Sequence, residues 1–108
     1  MSGADSPSVV DDPGNCRLVV REQGSVAELV YEVDGAKLLL LHTGVPEAFR
    51  GQGVGGRLVS AAVAKARSGG LTIVPWCPYA RRWLQDHPGE AEGVTVDFDA
   101  PPRAGHTA

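Results

Sequence analysis

Arg50-Gly51-Gln52-Gly53-Val54-Gly55-Gly56 is the stretch on which the fold turns. It follows an apolar run, Leu38 to Val45, and opens a segment whose apolar residues recur at helical spacing, so its glycines mark a strand-to-helix turn. Such a turn leaves backbone N–H groups free to converge on an anion, and the helix adds the positive end of its dipole. The geometry suits a phosphate or a pyrophosphate.

Upstream, Leu18-Val19-Val20 reads as a short strand and Ala27 to Val33 as a second, with Gln23-Gly24-Ser25 as turn material between them. Asp34-Gly35 is a tight-turn signal, so the run from Lys37 to Val45 should return antiparallel. Its four consecutive leucines, Leu38 to Leu41, suit a strand covered on both faces, at the centre of the sheet.

Downstream, Val54, Leu58, Ala61, Ala62 and Lys65 fall at helical spacing, with Arg57, Lys65 and Arg67 available for solvent, and Ser68-Gly69-Gly70 ends the helix. The buried strand Leu71 to Val74 follows and is stopped by Pro75. The span from Val45 to Leu71 is long enough for a helical crossover, which makes the strands on either side parallel neighbours. Tyr79 to His87 fits a short helix, with Pro78 pre-set for its first turn and His87-Pro88-Gly89 as its end. Val94 to Phe98 reads as an optional strand or as disorder. The fold class predicted is α/β (α+β): a mixed antiparallel/parallel sheet with one main crossover helix and a short C-terminal helix. Residues 1–15 read as a flexible leader, 16–90 as the domain, and 91–108 as an acidic, proline-containing tail with room for partial order.

The chain has 108 residues and a formal net charge of −3, which limits it to one modest core and gives no broad attraction to nucleic acid or anionic membrane. The N-terminus lacks the charged-then-apolar layout of a signal peptide, and no apolar run is long enough to span a membrane. A cytoplasmic monomer is the expectation. Cys16 and Cys77 have neither the number nor the spacing of a disulfide framework or a zinc site, so they read as thiols and no metal is expected.

Familiar phosphate loops fit poorly. No Gly-Lys-Ser/Thr follows the turn, so a P-loop lysine and magnesium-binding hydroxyl are missing. The Gly51-x-Gly53-x-x-Gly56 spacing exists, but the preceding strand belongs to a hairpin and no acidic residue stands where a dinucleotide fold needs one. What remains is an arginine or glutamine followed by Gly53, one residue, and Gly55. That layout resembles the acetyl-coenzyme A loop of the GCN5-related N-acetyltransferase superfamily. Together with His42-Thr43-Gly44-Val45-Pro46, Pro75-Trp76-Cys77-Pro78-Tyr79 and His87-Pro88, it resembles the small, stand-alone YjdJ-type acetyltransferases over about residues 16–90.

The resemblance implies transfer of an acetyl group from acetyl-CoA to an amine of a small molecule or polypeptide. It implies that the backbone of Thr43, Gly44 and Val45 runs along the pantetheine arm, and that N–H groups of Gln52, Gly53, Val54, Gly55 and Gly56 surround the pyrophosphate, in a cofactor-binding loop that includes Gly51; Arg50 either adds a charge-assisted contact or is a solvated loop charge. Three side chains are candidates for the chemistry. Cys77 is either a nucleophile that carries the acetyl group or a small buried thiol filling space. Tyr79 is a donor to the departing CoA thiolate or an aromatic packing residue. His42 relays the amine proton or makes a structural hydrogen bond. Glu47, Trp76, Trp83, Arg81, Arg82, His87 and His106 carry weaker readings, mostly packing, helix-end and surface roles. The competing function is a CoA-binding or protein-interaction module with little or no turnover.

Overall fold

The Asp34-Gly35 turn, with Gly35 at φ +60°, closes the hairpin on which the sheet is built. The computed structural model describes residues 8–22, 24–49 and 51–100. Five strands, β1 (Val10–Asp12), β2 (Arg17–Glu22), β3 (Ser25–Asp34), β4 (Lys37–Gly44) and β5 (Thr72–Pro75), lie side by side in chain order. The first three pairings are antiparallel and β4 with β5 is parallel, as the intervening helix α1 (Val54–Gly69) requires. Helix α2 (Pro78–Asp86) follows β5. This is the mixed sheet with a main crossover helix and a shorter C-terminal helix that the sequence predicts. The central strand is β3, however, and the leucine-rich β4 is second from the edge.

Alternation sorts the sheet into two faces. Leu18, Val20, Ala27, Leu29, Tyr31, Leu38, Leu40 and Ile73 point to one side, where they form a single core with Val54, Leu58, Val59, Ala62, Val63 and Ala66 of α1 and with Ala80 and Leu84 of α2. Each fully buried valine or leucine there contributes roughly 1.5–3 kcal/mol relative to exposure. Leu39 and Val74 are buried on the opposite face, so β4 is covered on both sides along Leu38-Leu39-Leu40. The helix ends as its glycines dictate, Gly70 taking the left-handed position (φ +66°) with its N–H on Ala66 O.

The sheet takes β1 from within residues 1–15, the segment read as a leader; residues 1–7 lie outside the described residues. Val10 is half-exposed, so burial alone does not hold this three-residue strand. A polar clamp does: Tyr31 Oη donates to Asp11 Oδ1 at 2.6 Å, Lys65 Nζ donates to Asp11 Oδ2 at 2.7 Å, and the ammonium stands 5.0 Å from the Tyr31 ring centroid. Lys65, assigned to solvent by its spacing, therefore ties α1 to the sheet edge. At the other edge, Ile73 N–H donates to Thr95 O and Asp97 N–H to Ile73 O, forming one parallel bridge rather than a full strand. Arg81 Nη1 on Phe98 O and Trp76 Nε1 on Ala100 O fasten the same segment. Residues 101–108, with His106, lie outside the described residues.

Among the described residues no helix is long and apolar enough to cross a membrane, and no cluster of three or more His, Cys, Asp or Glu is placed to hold a metal.

Candidate active site

The site begins with an irregularity in β4. Its register against β3 jumps between Val30, opposite His42, and Tyr31, opposite Leu40, so Leu41 is an extra residue. A bulge of this kind bends and twists the strand that carries it. Pairing with β5 ends at Leu40 and Pro75, and the last contact is Cys77 N–H on Leu40 O at 2.9 Å. Proline has no N–H to extend the ladder. Beyond that point β4 is paired to β3 on one side and, among the described residues, has no strand on the other, which leaves main-chain groups from His42 to Gly44 along an open edge.

A cleft of about 340 Å³ lies beside this edge, lined by Thr43, Val45, Phe49, Gly51, Gly53, Val54, Gly55 and Tyr79. It joins the β4 end, the glycine turn and the start of α2. Gly51 (φ +78°) and Gly53 (φ +70°) take left-handed conformations, in which an L side chain is strained, and Gly53 caps α1. The first intrahelical bond is Arg57 N–H to Gly53 O at 3.1 Å, so the amides of Val54, Gly55 and Gly56 belong to the open first turn of the helix. Gln52 departs from the expected donor set. Its backbone N–H donates to Phe49 O and its side-chain Nε2 to Ala48 O, which turns it back onto the short 3-10 turn Glu47–Phe49. Arg50 lies outside the described residues.

Gly55 and Gly56 have a second reason to be glycine that the motif spacing does not reveal. A Cβ on Gly55 would stand 2.5 Å from Tyr79 Oη, and one on Gly56 would stand 2.6 Å from Trp83 Nε1. The two residues bring α1 and α2 together and seat the Tyr79 phenol over the helix start. Tyr79 is 45% exposed although aromatic, and it lines the cleft. Burial, then the neighbouring Cys77, pushes its phenol above the usual range, which keeps the proton on the oxygen. Trp83 stacks on His87 with centroids 4.4 Å apart, and His87 ends α2 with its N–H on Trp83 O.

Cys77 is the N-cap residue of α2 and is only 3% exposed. Its Sγ lies 3.1 Å from Thr43 Oγ1. Thr43 is on the cleft wall and Cys77 is not, so the thiol stands behind the threonine. His42 takes the other side of β4. It is exposed, and its Nε2 would be 3.4 Å from a Cβ on Gly44. Of the three chemical candidates, Tyr79 is thus in the cleft, Cys77 is behind its wall, and His42 is across the strand. Sequence reading missed Phe49 as a lining residue and the Thr43–Cys77 contact; both depend on how distant segments meet.

Residues 17–94 match the GCN5-related N-acetyltransferase family, and the chain belongs to it. It is 31% identical over 100 residues to Protein NATD1 of the mouse, Mus musculus, an alignment covering 82% of this chain and 91% of that one. It also superimposes on a GCN5-like protein of Staphylococcus aureus, solved in solution by NMR, with a TM-score of 0.64 and 25% identity over 95% of this chain and all of the other. Family membership implies an enzyme of the acyl-CoA-dependent transferase type. The donor set fits such a carrier: an open strand edge for amides, left-handed glycines and free helix-start amides for phosphates, and a phenol at the junction.

Proposed function

We propose that the chain transfers an acetyl group from acetyl-CoA directly to a primary amine, and that it is one of the small YjdJ-type members of its family. The observation that carries this reading is the continuity of the cleft, which runs from the Gly51–Gly55 turn past the open end of β4 to Tyr79. In this reading the amides of Val54, Gly55 and Gly56, in the turn set by Gly51 and Gly53, receive the pyrophosphate, with Arg50 as an added charge. The main chain of Thr43, Gly44 and Val45 pairs with the pantetheine amides as an added strand would.

Chemistry follows from the arrangement of groups. A neutral amine attacks the thioester carbonyl, the C–N bond forms, and the C–S bond breaks; the Tyr79 phenol protonates the CoA thiolate as it leaves. The proton lost by the amine passes through His42 to water, and Tyr79 is reprotonated from solvent. Direct attack is preferred to an acetyl-Cys77 intermediate because the thiol is 3% exposed and stands behind Thr43. Cys16 is exposed and Cys77 is buried, and both are free thiols, which suits a reducing compartment such as the cytoplasm.

Calorimetric titration with CoA and acetyl-CoA, followed by acetylation of a primary amine panel, tests the proposal. Saturable binding and amide formation are expected, with turnover persisting in Cys77→Ala and no acetyl adduct on the protein by intact mass. Binding without turnover would favour the alternative, a CoA-binding module; an adduct lost in Cys77→Ala would favour the covalent route.

A further inference from the structure

Thr43 owes its direction to the bulge. Leu38 and Leu40 point into the core, so strict alternation would send His42 the same way; the extra residue at Leu41 instead sets Thr43 opposite the core residue Leu29, and His42 opposite Val30. Thr43 therefore faces the helix side of the sheet, where its Oγ1 lies 3.1 Å from Cys77 Sγ, and it also lines the cleft. The thiol it meets is fixed in place. Cys77 N–H donates to Leu40 O, Cys77 O accepts from Arg81 N–H, Pro78 follows at the first position of α2, and the side chain is buried.

The proton inventory gives the pair a direction. Thiol and hydroxyl carry one proton each. Cys77 stands at the N-cap of α2 without capping the helix amides through its sulfur, and among the described residues Thr43 Oγ1 is the one hydrogen-bond partner of that sulfur. If Thr43 donated to the sulfur, the buried S–H would have no acceptor. With the thiol donating, its proton is used and the hydroxyl proton is left for the cleft.

We propose that Thr43 is a catalytic residue whose hydroxyl donates a hydrogen bond to the thioester carbonyl oxygen, and that Cys77 is the positioning residue that aims it. The inference rests on the acetyl-transfer reading and deepens it at the acyl end of the same cleft. As the amine nitrogen attacks, the C–N bond forms and the carbonyl π pair moves onto oxygen; the Thr43 O–H strengthens its bond to that oxygen and keeps its proton. The nitrogen loses its surplus proton through His42 to water. When the tetrahedral adduct collapses, the pair returns to the C=O bond, the C–S bond breaks, and the sulfur takes its proton from Tyr79. A hydroxyl held from behind by a fixed thiol needs no reorientation as the charge develops. Cys77 forms no bond to the acetyl group at any stage.

The test is steady-state kinetics of the full chain with acetyl-CoA and a primary amine, alongside calorimetry with CoA, which has no acyl oxygen. Thr43→Val replaces the hydroxyl by a methyl and leaves the main chain, so kcat should fall on the order of 100-fold with CoA affinity unchanged. Thr43→Ser should recover most of the rate. Cys77→Ala should lower kcat about fivefold, while Cys77→Ser, which keeps a donor at the same place, should stay within about twofold of wild type. Thr43→Val combined with Cys77→Ala should be no slower than Thr43→Val alone, because the thiol acts only through the hydroxyl. A wild-type kcat in Thr43→Val would show that the methyl and not the hydroxyl meets the substrate, and would overturn the assignment while leaving acetyl transfer standing. A loss in Cys77→Ser as large as in Cys77→Ala, or a fall in CoA affinity in Thr43→Val matching the fall in rate, would overturn it in the same way. Absence of amide formation by the wild-type chain would overturn acetyl transfer itself, and this assignment with it.

Discussion

Within one seven-residue run, Gly51 and Gly53 differ from Gly55 and Gly56 in why they are glycine. The first pair have left-handed backbones, and nothing lies within 4 Å of where a Cβ would stand. Their constraint is conformational. The second pair have space taken from them by Tyr79 and Trp83. Their constraint is steric, and it comes from a helix that begins more than twenty residues later. A single glycine motif thus shapes a turn and also lets two helices touch, and the two functions can be separated by substitution.

The largest effect is expected at Gly53. Replacing it with valine strains a left-handed position by roughly 1–2 kcal/mol and puts a side chain into the cleft that Gly53 lines, so CoA affinity should fall on the order of 100-fold by calorimetry. Arg50→Ala should cost much less, about threefold, because fixed main-chain donors are retained. Gly56→Val should leave the turn in place but drive a side chain into Trp83, lowering unfolding stability by about 2 kcal/mol in chemical denaturation. If Gly53→Val proves mainly a stability defect and Gly56→Val mainly a binding defect, the division between the pairs is wrong.

Gly55→Ala sharpens the comparison at its boundary. The clashing atom is the far end of a flexible side chain, so the phenol should swing away, with little change in stability and a fall in kcat of about tenfold. Tyr79→Phe should reproduce that rate loss, and combining the two should add nothing further; additive losses would mean that Gly55 acts otherwise.

The smallest effect is expected at a site remote from both pairs. Burial alone would raise the Asp11 carboxyl, but hydrogen bonds from Lys65 and Tyr31, with the Lys65 charge, outweigh it and hold the group below the usual carboxylate range. A depressed acid stabilises the fold above its unfolded pKa, and that contribution is lost as pH falls through the folded value. Asp11→Asn should therefore cost about 0.5 kcal/mol at neutral pH, the pair being partly exposed, and converge with wild type in acid, with CoA affinity unchanged. A pH-independent difference would show that the clamp acts through something other than this carboxylate.

Much of the architecture is legible in local sequence. Asp34-Gly35 requires a hairpin, the 3.6-residue spacing from Val54 to Ala66 requires a helix with one apolar face, and the length between β4 and β5 requires a crossover. Other parts are not local. Val10-Asp11-Asp12 carries too little apolar surface to predict a strand, and it is held by Tyr31 and Lys65 from elsewhere in the chain. The glycine loop was readable because its backbone demand is written in adjacent residues, whereas the engagement of Gln52 with Phe49 and Ala48 was not.

The amino-acid order alone determined the turns, the helical face and the phosphate-suited glycines, since φ/ψ limits and periodicity act over a few neighbouring residues. Tertiary structure decided the rest: that Leu41 bulges, that pairing with β5 stops short of the end of β4, that Thr43 stands between Cys77 and the cleft, and that Glu28 of β3 and Gly44 of β4 line one groove. Those relations depend on register between strands and on contacts between distant segments, which packing of the whole chain selects and no short stretch encodes.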